Sequence, residues 1–430
     1  MPFRVILNRW ECGYLAENSN KWLLVYGRRK TGKTWLLRHC VEWSLYATIT
    51  RSGECILEER DTTGYRVVGL GECIDTITKR LRRGSGSIVI DEFQRLPTRY
   101  WDLIALTGQE AEAGLIACGS SLGIAARIFD RHSPLLGLFE AFRVDLVDIA
   151  DAIASLHDWG LPGREAVLWS VVARDPWLLM HVEPRGEPWR VLAQHARGLV
   201  PAARGLVGEV FVEEERQLSR VYDATLRLLA EGYWRASDIA ARLYAAGLVS
   251  SPQPGSATGV LGVLEEMGLV ERIPLWRTRG ARTYYRHRSP LVSLLYQVAD
   301  SVEELGVAPS PESLRARYGL ELQFTIGELL ARRRASRRAY SIQPGGRDVD
   351  VVLLERRGHA VWGYEVKMGS IATSEAESIA AWMRSIGIPR AGVVALGGVS
   401  GVALGLDEVL DAEALVEEAR RIRRGTRDRM

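Results

Sequence analysis

Trp22-Leu23-Leu24-Val25-Tyr26-Gly27-Arg28-Arg29-Lys30-Thr31-Gly32-Lys33-Thr34 is the stretch whose reading decides the fold. The apolar run Trp22 to Tyr26 has the length and character of a buried parallel strand. The pattern GxxxxGKT follows it at once, and helix-spaced apolar residues (Trp35, Leu36, Leu37, Cys40, Val41) come next. Strand, loop and helix in that order suit a turn that wraps phosphates. Gly27 and Gly32 let the backbone curl so that its N–H groups converge on an anion at a helix N-terminus. Lys33 brings a compact charge to the β- and γ-phosphates, and Thr34 brings a hydroxyl to Mg²⁺. The whole turn, Gly27, Arg28, Arg29, Lys30, Thr31, Gly32, Lys33 and Thr34, is the expected cradle for ATP.

A second apolar run, Ser87-Ile88-Val89-Ile90, ends in Asp91-Glu92. Acids at the carboxyl end of a buried strand stand at the ligand edge of an open α/β sheet. Asp91 is expected to hold the magnesium, and Glu92 to polarise the attacking water. A third run, Gly114 to Cys118, closes in Gly119-Ser120-Ser121. Its hydroxyls either contact the γ-phosphate, Ser120 first among them, or close a turn of small polar residues.

Bulk properties narrow the rest. The chain has 430 residues, a net charge of +3 and a quarter of its residues charged, and it holds no apolar run near the roughly 20 residues a membrane span needs. Together with an amino terminus lacking a secretory pattern, this makes the cytoplasm the expected compartment, without membrane association. The five cysteines (Cys12, Cys40, Cys55, Cys73, Cys118) show neither CxxC nor Cys/His spacing. They read as small buried residues, with neither a zinc site nor a disulfide framework. Lysine is scarce, at Lys21, Lys30, Lys33, Lys79 and Lys367 only, and two of these fall in motifs whose chemistry calls for a point charge.

The order Asn8-Arg9-Trp10-Glu11, GRRKTGKT, Ile90-Asp91-Glu92-Phe93-Gln94, Gly119-Ser120-Ser121 and Ser133-Pro134-Leu135-Leu136-Gly137 resembles the archaeal ATPase family, in the signal-transducing branch of P-loop ATPases. The resemblance runs along nearly the whole chain. It implies an α/β P-loop core with a parallel sheet over 1–147, a helical lid over 148–205, a winged helix-turn-helix over 206–297 and an α/β PD-(D/E)xK nuclease-like domain over 298–430. Two departures stand out. Gly137 is followed by Leu138 where the family has arginine, so Arg131 or Arg143 would have to stand in, and Ala173-Arg174-Asp175-Pro176 replaces a Gly-Gly-x-Pro turn.

Beyond the core, Val207 to Arg220 reads as one helix whose acidic run Glu213-Glu214-Glu215 is a solvated face. Amphipathic helices over Tyr222–Ala230, Ala236–Leu243 and Ala257–Met267 precede a hairpin, which is the make-up of a winged helix. The hairpin carries Arg272, Arg277, Arg279, Arg282, Arg286 and Arg288. These arginines form either a stripe for a DNA backbone, through Arg277, Arg279 and Arg282, or a packing hinge.

In the last segment, Val349-Asp350-Val351-Val352 and Tyr364-Glu365-Val366-Lys367 read as adjacent strands. Period-2 geometry puts Glu365 and Lys367 on one face, near Asp350. Two carboxylates and a lysine so placed suit a magnesium-dependent phosphodiester cleavage, as the nuclease resemblance implies. The third acid of that pattern is absent at Phe324-Thr325, leaving Glu321 or Glu328 as stand-ins, and the domain is either an active metal site or an inert fold. Arg332, Arg333 and Arg334 suit a DNA backbone or a solvated helix end. A protein partner or homo-oligomerisation stays open. The expected activity is thus ATP hydrolysis whose nucleotide state governs a nuclease on DNA; a nucleotide-gated switch with an inactive nuclease fold is the rival.

Overall fold

The computed structural model describes residues 5–84, 86–120, 123–214, 216–280, 282–343, 348–401 and 405–427. Ser121 and Glu215, singled out above, lie outside the described residues. The chain forms two compact units: Arg9–Leu146 with Glu209–Gln217, and Met1–Asn8 with Val147–Gly208 and Leu218–Arg429.

The first unit runs α1 (Trp10–Glu17), β1 (Trp22–Tyr26), α2 (Lys33–Cys40), β2 (Trp43–Ile49), β3 (Glu54–Glu59), β4 (Arg66–Gly69), α3 (Leu70–Arg83), β5 (Ser87–Asp91), α4 (Trp101–Gly108), β6 (Gly114–Gly119), α5 (Gly123–Ile128) and β7 (Glu140–Arg143). Its seven-stranded sheet has the order β4-β3-β2-β5-β6-β1-β7. Strands β2, β5, β6, β1 and β7 are parallel, and β3 and β4 form an antiparallel edge. Every residue of β5 and β6 is buried, as central strands covered on both faces require, and their continuous apolar runs follow from that burial. The register aligns Tyr26 with Gly119, and Asp91 with Cys118. The carboxyl ends of β1, β5 and β6 therefore meet at one edge.

The cysteines correct the expectation made of them. Cys12 of α1 is bonded to Cys40 of α2, and Cys55 of β3 to Cys73 of α3, with Cα separations of 5.2 and 6.2 Å; Cys118 is free and buried. Each bond joins two elements brought side by side by tertiary packing, which no local spacing pattern reports.

The second unit begins with α6 (Ile149–Asp158), α7 (Gly163–Ala173) and α8 (Pro188–Glu213). Its next elements are α9 (Arg220–Glu231), α10 (Ala236–Ala245), α11 (Pro254–Glu266), β8 (Val270–Pro274) and β9 (Thr283–His287). Then come α12 (Pro290–Gln297), α13 (Ala299–Glu303), α14 (Pro311–Arg333), β10 (Arg337–Ile342), β11 (Asp348–Leu354) and β12 (Ala360–Lys367). It ends with β13 (Ile371–Ala372), α15 (Thr373–Ser385), β14 (Ala391–Ala395), β15 (Val399–Ser400), β16 (Glu408–Leu410) and α16 (Ala412–Arg427). Helix starts follow the sequence closely. Asp148 accepts from the Ala150 N–H, and Ser289 and Ser310, each followed by proline, accept from the Val292 and Ser313 N–H groups.

Helices α9, α10 and α11 are followed by the antiparallel hairpin β8–β9. The C-terminal sheet has the order β10-β11-β12-β14-β16, antiparallel up to β12 and parallel beyond it. One apolar core joins residues of α6, α7, α8, α12, α14, α16 and the C-terminal sheet. The helix expected over Val207–Arg220 is not a separate element, because α8 runs without a break from Pro188 to Glu213 and carries Pro201 inside it. No helix of the described residues is long and apolar enough to cross a membrane.

Candidate functional site

The glycine turn between β1 and α2 is built by backbone conformations that only certain residues tolerate. Gly27 has φ of 149° and lies so close to the chain that a Cβ there would meet the Val144 carbonyl oxygen at 2.0 Å. Gly32 (φ 94°) caps α2 in a left-handed conformation. Lys30 is also left-handed, at φ 63°, a costly geometry for a residue with a side chain and one that concentrates where a loop is shaped for a ligand. The turn is braced from outside: the buried Arg9 guanidinium donates to the Thr31 carbonyl at 2.5 Å and to the Asp145 carbonyl at 3.2 Å, and is itself held by Glu11.

Inside the turn, Lys33 is buried and donates to the carbonyls of Gly27 and Arg28 at 2.7 and 2.8 Å. Burial depresses its pKa, opposed by the carboxylates of Glu213, Asp91 and Glu92. Across the sheet edge, the Thr34 hydroxyl donates to Asp91 Oδ2 at 2.9 Å. This turn is a P-loop. The P-loop hydroxyl and the strand-end carboxylate, 57 residues apart in sequence, converge on one point.

The P-loop's surroundings fix the acid pair. Tyr46 of β2 donates its hydroxyl to the same Asp91 oxygen at 2.7 Å, and the Glu92 N–H donates to Asp91 Oδ1 at 2.9 Å. Burial and the Asp91 charge push the Tyr46 hydroxyl and the Cys118 thiol well above their usual ranges, so both stay neutral. Glu92 is left-handed at φ 59°. Its carboxylate takes Gln94 Nε2 at 2.7 Å and pairs with Arg95 at 2.9 Å. Gln94 also reaches Ser120 Oγ at 3.0 Å, so the ends of β5 and β6 are tied through one amide. Thr34 and Asp91 are oxygen donors, the hard type of ligand that fits Mg²⁺.

Two arginines expected to stand in near the γ-phosphate lie elsewhere in the network: Arg143 pairs with Asp145 at 3.8 Å, and Arg131 donates to His132. The arginine beside the acid pair is Arg95. Of the acidic run at the end of α8, the described residues Glu213 and Glu214 are not a solvated face. Glu213, with 9% of its side chain exposed, pairs with P-loop residue Arg29 at 2.6 Å, and Glu209 pairs with the same guanidinium at 2.5 Å. Glu214 accepts from the Gly123 N–H. Sequence reading missed Tyr46, Arg95, Glu209 and Glu213 as parts of this site; Arg95 stands three residues after Glu92 and was within reach of a local reading, whereas Tyr46, Glu209 and Glu213 enter through long-range contacts that no local pattern encodes.

In the C-terminal sheet, Asp350, Glu365 and Lys367 do come together. Asp350 accepts from the Val366 N–H at 2.8 Å, and Lys367 Nζ lies 2.7 Å from Glu365. Burial and the Glu365 charge push the Asp350 carboxyl up to about 7. Glu375 of α15, not singled out from sequence, lies 3.9 Å from Lys367. Glu321 and Glu328 are engaged otherwise. Glu321 is fully buried between Arg286 and Arg317, and Glu328 is shared by Arg174, Arg288 and Arg338. These arginines hold Glu328 well below the usual carboxylate range against the cost of burial. Among the described residues no group of three His, Cys, Asp or Glu is placed to hold a metal ion.

The arginine runs are likewise divided. Arg286 and Arg288 turn inward onto Glu271, and Arg272 pairs with Glu265. Arg277 stacks on Trp276 and donates to the Ile386 carbonyl. Arg279 and Arg282 are exposed at the hairpin tip without a carboxylate partner among the described residues. Arg332 pairs with Asp148, Arg333 with Glu408 and Glu418, and Arg334 with Glu408. That run is a set of internal ion pairs rather than a free phosphate-binding patch.

No family model and no curated protein matches the chain. Among solved structures it is similar to the Walker-type ATPase of Pyrococcus abyssi, at 21% identity over 68% of this chain and 96% of that chain, with a TM-score of 0.45. It is similar to the Aeropyrum pernix ORC2 protein in ADPNP-ADP complexes, at 16% identity over 72% and 97% of the two chains, with a TM-score of 0.39. The Aeropyrum pernix ORC1 protein in complex with DNA follows at 17% identity, 70% and 95% coverage and a TM-score of 0.32. At these scores the likeness decides neither fold nor function, which rest on this chain's own residues.

Proposed function

We propose that the chain is a magnesium-dependent ATPase associated with DNA. The observation that carries this reading is the meeting of Thr34 and Asp91 at 2.9 Å beside the buried Lys33. The P-loop N–H groups and Lys33 bind the phosphates, and Thr34 and Asp91 supply oxygen ligands to Mg²⁺. Held there by Thr34 and Asp91, magnesium would supply neutralisation of phosphate charge. Glu92, steadied by Gln94 and Arg95, orients the attacking water and accepts its proton. The hairpin supports contact with a DNA backbone through Arg279 and Arg282, with Arg277 beside them on Trp276, and the three helices with their hairpin support the winged-helix reading.

For the C-terminal sheet, the occupied state of Glu321 and Glu328 favours a PD-(D/E)xK-like fold that binds without cutting, which makes the protein a nucleotide-gated switch. Phosphate release from ATP by the wild type and by Glu92→Gln tests the first part: the variant should bind ATP and lose turnover by at least about 100-fold. Full turnover by Glu92→Gln removes Glu92 from the role. Plasmid incubated with Mg²⁺ tests the second part: no cleavage is expected from the wild type, and cleavage that disappears in Lys367→Ala restores the nuclease reading.

A further inference from the structure

The end of α8 carries two acids four residues apart, Glu209 and Glu213, on one helical face at its C-terminal turn. Like charges at that spacing repel each other, and a carboxylate at a helix C-terminus opposes the negative end of the helix dipole. The arrangement is unfavourable twice over within the helix itself. It is held by Arg29 of the P-loop, whose Nε and Nη1 lie 2.5 and 2.6 Å from the two carboxylates, with Arg51 a more exposed second partner of Glu209 at 3.3 Å. Glu214 adds a bond to the Gly123 N–H just beyond β6.

Glu213 is the acid that intrudes furthest. Its Oε1 takes Arg29, while its Oε2 is buried without a hydrogen-bond partner among the described residues. Among the carboxylates that offset the burial of Lys33, Glu213 comes before Asp91 and Glu92. A carboxylate thus sits in the field of Arg29 and Lys33, where a phosphate would be drawn.

We propose that the end of α8 is a built-in competitor for the triphosphate: Glu209 and Glu213 hold Arg29 until the phosphates take it, and ATP binding releases the end of α8 from the P-loop. The inference rests on the P-loop binding ATP. The ion pairs that Arg29 gives up are replaced by ones to phosphate oxygens, which the guanidinium fork can take bidentately. The released helix end keeps Glu213 without its arginine and leaves Glu209 only the exposed Arg51, so its last turn is disfavoured. Nucleotide occupancy is thereby converted into a change at the end of α8.

The test is an equilibrium titration with a fluorescent ATP analogue and Mg²⁺ on the full chain, its Glu213→Gln variant and the Glu209→Gln/Glu213→Gln pair, with Lys33→Ala as control. Removing the competitor should tighten binding by about fivefold in the double variant. Binding that is unchanged or weaker in both glutamine variants, with Lys33→Ala defective, overturns the competitor and leaves the ATP site standing. Binding by Lys33→Ala as tight as the wild type overturns the ATP site itself. A second readout needs no substitution: tryptic cleavage after the exposed Arg216 should speed up when ATP and Mg²⁺ are added. A rate that nucleotide leaves unchanged or slows contradicts release.

Discussion

Tyr46 shows how much of this site depends on single atoms. Its hydroxyl donates to the Asp91 oxygen that also takes Thr34, inside a buried sheet edge. Hydrogen bonds to a charged group are worth about 1.5–3 kcal/mol, so Tyr46→Phe should lower unfolding free energy by that order. Urea denaturation measures it, and a loss below a few tenths would mean the bond is not made. The residues of the P-loop were legible because backbone geometry demands them within one short stretch: glycine where φ is positive, lysine and threonine where phosphate and magnesium need them. Tyr46 and Glu213 were not, since each enters the site from a distant part of the chain. Glu213 was misread because an acidic run looks solvated until its partner, Arg29, is known.

Among the elements, the two disulfides make the sharpest prediction. Cys12–Cys40 fastens α1 to the P-loop helix α2, and Cys55–Cys73 fastens β3 to α3, over sequence separations of 28 and 18 residues. Closing loops of that size restricts the unfolded chain by about 3 kcal/mol each. Reductant, or Cys12→Ser, should therefore lower the midpoint of urea unfolding of this unit, and an unchanged midpoint would mean the bond is absent. The strands and helices themselves were readable: apolar runs gave β1, β5 and β6, and helical periodicity gave α9 to α11. Cysteine pairing was not, because spacing reports only partners that are close in sequence. The hairpin β8–β9 makes a second prediction. Arg279→Ala/Arg282→Ala should reduce the slope of log affinity for DNA against log salt by about 2. In Arg286→Ala the damage should instead fall on stability, because its partners are the buried Glu271 and Glu321.

For the molecule as a whole, pH separates the role of the C-terminal cluster from that of its neighbours. The Asp350 carboxyl, pushed up to about 7, favours its protonated form in the folded state. Its contribution to stability is complete below the usual aspartate range near pH 4 and is lost as pH rises through about 7. Metal-free Asp350→Asn should therefore be more stable than the wild type at pH 8, by about 1–3 kcal/mol, and gain nothing at pH 4. An equal gain at both values would place the effect in packing. The two strands carrying Asp350, Glu365 and Lys367 were legible from alternation and a short motif. That Glu321 and Glu328 are bound to arginines was not, since a helix-face argument finds residues on the right side of α14 without saying what they touch.

Calorimetric titration of ATP into the intact chain, with and without Mg²⁺, tests the convergence of Thr34, Asp91 and Lys33 most directly. The account predicts saturable binding that Mg²⁺ strengthens and that Lys33→Ala abolishes; binding by Lys33→Ala with the affinity and Mg²⁺ dependence of the wild type would contradict it.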